Sequence, residues 1–231
     1  ETRAYIKRRG IQPSMVDTFG MGYAPDDWGR LTEYLKDKGA DLELACEVGL
    51  IKKADGSDRL YDRFRHRLMF PILEASGRLA GFGGRALRDS DTAKYLNSPE
   101  SSIFNKSALL YGLDVARQEV RKQKRAILVE GYLDVIAMYQ FGFTNTVAAL
   151  GTSFTKEHLR CLKRYCKEVT LLFDGDKAGV KATGRAIKIL LPGSFSVEIG
   201  KLPEGEDPDT YIGRYGRQAM EELLHQKNSP G

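Results

Sequence analysis

What the chain has little of narrows its class first. No apolar run reaches the roughly eighteen residues that a membrane helix needs, so no membrane contact and a cytoplasmic location are expected. Cysteine is sparse. Cys46, Cys161 and Cys166 are odd in number and show no C-x-x-C spacing, which argues against a disulfide framework or a zinc site. Buried thiols in a reducing compartment are expected, with Cys161 and Cys166 on one helix. No internal repeat or low-complexity tract is present, which excludes solenoids and Pro- or Gly/Ser-rich linkers. The start, Glu1-Thr2-Arg3-Ala4-Tyr5, shows neither an initiator Met nor a signal peptide, so the chain is read as a segment of a longer protein. Histidine is scarce too: His66 is expected on a strand surface, and His158 and His225 on helix surfaces.

What is there suits an α/β protein of one large or two small domains. The 231 residues are 42% apolar, enough for a real core. The formal charge of +5 lies entirely before residue 126; beyond it 13 basic residues balance 13 acidic ones. A basic half beside an acidic half points to a polyanion that also meets a metal, although a solvated charged surface would look similar.

Residues 2–50 read as helices and turns. The expected helices are 2–9, one capped by Ser14, one capped by Asp26 or Asp27 and containing Trp28, and one capped by Asp41. Residues 67–73 and 79–87 read as a hairpin, 94–99 as a strand entering a loop, and 109–124 as an amphipathic helix. From Arg125 the pattern alternates. Strands are expected near 126–129, 146–150, 169–173 and 195–201, and helices near 133–141, 155–167, 177–190 and 209–224, giving a largely parallel sheet.

Three acidic loops follow strands of this sheet: Glu130-Gly131-Tyr132-Leu133-Asp134, Asp174-Gly175-Asp176-Lys177, and Glu204-Gly205-Glu206-Asp207-Pro208-Asp209. Ligands bind at the carboxyl edge of open α/β sheets, and several carboxylates converging there suit a hard cation. The bland alternative is that they are turn formers and helix caps, with Asp176 and Asp209 as caps. Mutual repulsion at one sheet edge favours a metal site made from Glu130, Asp134, Asp174, Asp176, Asp207 and Asp209. In the basic half Arg63, Arg65 and Arg67 alternate. On a strand they would share one face as a row of guanidiniums matched to phosphates.

The two motifs Glu130–Val135 and Asp174–Gly179 resemble the TOPRIM signature. With Arg63–Arg67, Gly81–Arg85, Lys94–Glu100 and Phe104–Lys106 before them and Gly205–Asp209 after, all in the order seen in that family, the chain resembles bacterial replicative primases of the DnaG type over nearly its whole length. The resemblance implies an α/β fold in which a basic mixed subdomain (1–124) precedes a Rossmann-like TOPRIM subdomain (125–209), with 210–231 beginning a further helical subdomain. It implies a DNA-dependent RNA polymerase that makes short RNA primers on single-stranded DNA, with Mg²⁺ or Mn²⁺ as cofactor and ribonucleoside triphosphates as substrates. A replicative helicase would be met through a domain outside this chain, and a monomer is expected. The resemblance places Lys94 and Lys106 near the active centre as catalytic residues with Glu130. Arg85 and Asn97 would line the template or nucleotide path, and Lys177 joins the nucleotide-binding candidates. Tyr95 and Tyr132 could stack on a base, but packing within the fold is the favoured expectation. Three rivals remain: a TOPRIM nuclease, a topoisomerase, and a binding module with a relic site.

Overall fold

The computed structural model describes residues 1–88 and 93–226, and its contacts divide the chain into two units. The first holds Glu1–Ile72 and Leu79–Asn105; the second holds Leu73–Arg78 and Lys106 onward.

The first unit opens with α1 (Thr2–Arg8), α2 (Pro13–Thr18), β1 (Gly22–Ala24), α3 (Arg30–Asp37) and α4 (Leu42–Glu47). Asp41 caps α4 as expected, accepting from the Glu43 and Leu44 amides. Two other caps differ from expectation. Pro13 takes the first position of α2, so Gln12 and not Ser14 is its N-cap. Trp28 lies outside α3, whose N-cap is Gly29. Asp27 accepts from the Gly29 and Arg30 amides at 2.8 and 3.1 Å, while buried Asp62, from a strand thirty residues on, accepts from Leu31 N, Thr32 N and the Thr32 hydroxyl at 2.7–2.8 Å. A strand carboxylate thus serves the amides that the first turn leaves orphaned.

The strands that follow are β2 (Ile51–Lys53), β3 (Leu60–Asp62), β4 (Arg67–Leu73), β5 (Leu79–Ala86) and β6 (Tyr95–Asn97). β2 and β3 pair with each other, and the larger sheet runs β1-β4-β5-β6. The expected β4–β5 hairpin is present. A side chain at Gly81 or Gly84 of β5 would strike Phe104 or Phe64, so glycine there admits aromatic rings against the backbone.

The second unit contains β7 (Leu110–Tyr111), α5 (Leu113–Gln123), β8 (Arg125–Val129), α6 (Tyr132–Gln140), β9 (Thr146–Ala149), α7 (Lys156–Leu162), β10 (Glu168–Leu171), α8 (Lys177–Leu190), β11 (Ser196–Ile199) and α9 (Pro208–His225), the last interrupted at Gly216. Their sheet order is β11-β10-β8-β9-β7; β8 to β11 are parallel, and β7 is an antiparallel edge. The fold is the expected α/β, with a mixed first part and a largely parallel sheet after it. β8, β9 and β10 are almost wholly buried, as apolar runs covered on both faces require. Leu128, Val147, Val169 and Leu171 form the centre of their core with Leu162, Ala186 and Leu190 from the flanking helices. α7 is shorter than expected, so Cys161 is on it but Cys166 lies past its end, buried, with its thiol pushed up to about 11 by burial.

Two histidines depart from expectation. His66 is buried, adopts φ 50°, and sets its Nε2 against the Glu1 carboxylate. His158 is fully buried at the start of α7. Its Nδ1 accepts from Thr155 N at 3.2 Å, so Nε2 carries the proton and donates to Lys106 O at 2.9 Å and Leu109 O at 3.1 Å. This ring holds the Lys106–Leu109 segment against α7. Burial pushes its pKa below the ordinary value, outweighing the two carbonyls that favour the charged form. A base whose folded pKa is lowered contributes stability present above the unfolded pKa and lost as pH falls through the folded one. Thermal unfolding should therefore shift downward as pH drops below about 6.5, and His158→Gln should show a lower but flatter pH profile. An unchanged slope in the variant would contradict the assignment.

Candidate active site

The parallel pairing of β8, β10 and β11 puts their carboxyl ends on one edge. Glu130 directly follows β8, Asp174 follows β10, and Asp207 and Asp209 follow β11. Three hydrogen bonds tie these loops together. Glu130 Oε1 accepts from Asp174 N at 3.3 Å, Gly175 N donates to Glu206 O at 2.9 Å, and Asp134 Oδ1 accepts from Asp209 N at 3.4 Å.

Several of the carboxylates are also helix caps. Asp134 Oδ2 accepts from Gly131 N at 2.8 Å, closing the first turn of α6. Asp176 is the N-cap of α8, its Oδ1 accepting from Ala178 N and Gly179 N at 2.8 Å. α9 is capped by Asp207, which accepts from Thr210 N at 2.7 Å; Asp209, the expected cap, lies inside the first turn because Pro208 takes its first position. In the caps of α8 and α9 it is Oδ1 of a two-oxygen group that accepts the amides.

Among the described residues, no three His, Cys, Asp or Glu side chains are already arranged to hold a metal ion. The donor set nevertheless fits one. Asp134 is buried, and its pKa is raised well above the carboxylate range, first by burial, then by Asp207, Asp174 and Asp209. Glu130 is raised by burial and by Asp176, with Arg185 and the Asp174 amide opposing. Crowded hard oxygen donors, with the pKa values of Asp134 and Glu130 raised by their acidic neighbours, are what a divalent cation would relieve.

Two glycines hold the second loop in place. A Cβ on Gly175 would lie 2.0 Å from Pro203 O, and one on Gly179 would lie 2.0 Å from Asp174 O. Lys177 is exposed at the start of α8. Arg185 lines a cleft of about 280 Å³ beside Glu130, formed with the Gly151–Phe154 loop. Sequence patterning gives no sign of Arg185, which looks like any cation on the polar face of an amphipathic helix.

In the first unit the arginine row takes another form. Residues 63–66 break between β3 and β4, so Arg63, Arg65 and Arg67 do not alternate along a strand face. All three still line one cleft of about 400 Å³, with Lys52, Trp28 and Tyr61. Arg63 donates to Asn97 O at 2.9 Å, and its buried Nε has no hydrogen-bond partner among the described residues. Arg65 donates to Asp62 O and stacks 3.8 Å over the Trp28 ring. Arg67 is buried, donating to Gly84 O and Ala93 O at 3.2 and 3.0 Å. Exposed Trp28 is a stacking surface that helical periodicity concealed. Arg85 is buried, 4.6 Å over the Tyr5 ring and 5.8 Å from that of Tyr95. Lys94 is exposed in the first unit and Lys106 half-buried in the second. Tyr132 is packed against Tyr111 as expected, whereas Tyr95 is more than a third exposed.

The model of the DNA primase catalytic core N-terminal domain matches residues 1–117, and a Toprim-like model matches 127–212. The chain belongs to the DnaG-type DNA primases. It is 45% identical over 94% of its length to the DNA primase of Halalkalibacterium halodurans and 43% identical over 97% to that of Clostridium acetobutylicum. It spans 36% and 37% of those two relatives, a little over a third. Among solved structures, a DNA primase domain from Pseudomonas aeruginosa superposes with a TM-score of 0.91 at 42% identity, covering 98% of this chain and 71% of that one. A DnaG primase catalytic domain bound to ssDNA gives 0.89 at 40%, covering 99% and 74%. The DNA primase match at residues 1–117 lies outside the Toprim-like match at 127–212. Among the described residues no helix is long and apolar enough to cross a membrane.

Proposed function

We propose that this chain is the RNA-polymerising core of a primase, synthesising short RNA primers on single-stranded DNA from ribonucleoside triphosphates. The observation that carries this reading is the set of carboxylates at one sheet edge, with Asp134 burdened by Asp207, Asp174 and Asp209. Residues 125–209 would be the metal-binding part and 1–124 the basic template-binding part.

Glu130, Asp134, Asp174, Asp176, Asp207 and Asp209 would hold Mg²⁺ or Mn²⁺, which when bound supplies charge neutralisation at the triphosphate. Asp134 joins the loops and keeps their carboxylates in register. Glu130, whose proton affinity is raised, is the candidate to take the proton of the primer 3′-hydroxyl as it attacks the α-phosphate. By family likeness Lys94, Lys106 and Lys177 would offset negative charge as pyrophosphate departs. Arg63, Arg65 and Arg67, with Asn97, whose carbonyl Arg63 engages, would carry the template strand, Trp28 stacking on a base, and Arg85 would line the template or nucleotide path. Mn²⁺ binding followed by paramagnetic resonance tests the metal set. The free-ion signal should fall on adding the chain and recover in Asp174→Ala; equal binding by the variant would sink the assignment.

The template part carries its own prediction. Affinity for oligo-dT should fall steeply with salt, and Arg63→Ala together with Arg65→Ala should weaken it roughly tenfold or more while flattening that salt slope. A salt-independent affinity in the unmodified chain would count against the arginine cleft.

A further inference from the structure

A second basic cleft lies in the second unit, away from the carboxylates. It has a volume of about 620 Å³ and is lined by Arg117, Arg121, Arg164, Tyr165 and Cys161, with the Leu73–Ser76 turn as one wall. Arg121 closes the last turn of α5, just before β8 begins; Arg164 and Tyr165 follow α7, just before β10 begins. These strand starts are the edge opposite the one bearing the acidic loops.

Among the described residues none of the three guanidiniums forms a salt bridge, although Arg117 acts electrostatically on Asp114. Arg117 donates to Ala75 O. Arg164 reaches Cys161 Sγ at 3.5 Å. Arg121 and Arg164 stand 4.8 and 5.8 Å from the Tyr165 ring centroid. Glu74, the one carboxylate on the lining among the described residues, is engaged at 2.8 Å by Arg78. Guanidinium forks match phosphate oxygens, and the Tyr165 ring that both Arg121 and Arg164 approach keeps the two forks beside each other on the cleft wall. We infer that this cleft binds a nucleoside phosphate, as part of a nucleic-acid strand or as a free nucleotide, independently of the carboxylate site.

Cys161 provides a local reporter. Alkylation of the chain by iodoacetamide, resolved peptide by peptide, is followed without divalent metal and with added oligo-dT, ATP or inorganic phosphate. Bound ligand should slow Cys161 roughly fivefold or more while Cys46 keeps its rate, because guanidinium–phosphate contacts close over the thiol. That protection should vanish in Arg121→Ala with Arg164→Ala, both exposed positions, and return in part with lysines. Each protein is compared with itself, so a changed intrinsic thiol reactivity cancels. Protection by oligo-dT at lower concentration than ATP assigns the cleft to a strand; the reverse order assigns it to a free nucleotide. Protection by none of them, by inorganic phosphate equally well, or undiminished in the double alanine variant overturns the inference. Since the assay needs neither metal nor turnover, its outcome is separate from that of the primase reading.

Discussion

Asp174→Ala should reduce primer synthesis by three orders of magnitude or so, the scale seen when a preorganised charge at the reacting centre is lost, while the fold persists. Asp174 is half-buried beyond β10, and its backbone amide, retained in alanine, makes the bond to Glu130. The substitution removes a charge that raises the pKa of Asp134. Relief of that repulsion should leave the metal-free melting temperature unchanged or higher. Steady-state synthesis rates beside thermal unfolding in chelator separate the two effects. Retained turnover would refute the metal assignment, and a collapsed melting temperature would make Asp174 a structural residue instead.

The second large effect is expected at a residue with no side chain. Gly179→Ala introduces a Cβ 2.0 Å from Asp174 O and 2.9 Å from Asp174 N, both backbone atoms that cannot rotate away. The loop must shift, at a cost of about 1–3 kcal/mol typical of overpacking, and with it the Asp174 and Asp176 carboxylates. Activity should fall nearly as far as in Asp174→Ala, accompanied this time by a lower melting temperature. Gly184, later in α8, provides the contrast. A Cβ there meets nothing within 4 Å, so Gly184→Ala should stabilise by about 0.5–1 kcal/mol and leave activity intact. Equal behaviour of the two variants in synthesis and unfolding would contradict this view of the α8 entry.

The carboxylate site was legible because strand ends in a parallel sheet are marked twice, by an apolar run and by the loop chemistry that stops it. Ala126–Val129 followed by Glu130, and Val169–Phe173 followed by Asp174, carry both marks. Which acid caps which helix was less legible, although Pro13 and Pro208 announce the first helical position and so name Gln12 and Asp207. The arginine row failed for a reason of backbone geometry. Alternation predicts a shared face only while the strand continues, and β3 ends at Asp62, with His66 at φ 50° just before β4 begins. The arginines nevertheless meet in one cleft, Arg65 held by the nearby Asp62 O, and Arg63 and Arg67 by contacts to Asn97 O and Gly84 O that no local pattern encodes. His158 was misjudged because a buried, carbonyl-bonded imidazole and an exposed one look alike in a sequence. Its burial depends on Lys106 and Leu109, some fifty residues away.

The central claim is that this sheet edge joins nucleotides. Labelled ribonucleotides, single-stranded DNA and Mn²⁺ incubated with the chain and resolved on a gel, beside Asp174→Ala, test it most directly. Metal-dependent RNA products that the variant does not make are expected. DNA shortened without any RNA product would contradict it and make the carboxylates a hydrolytic site.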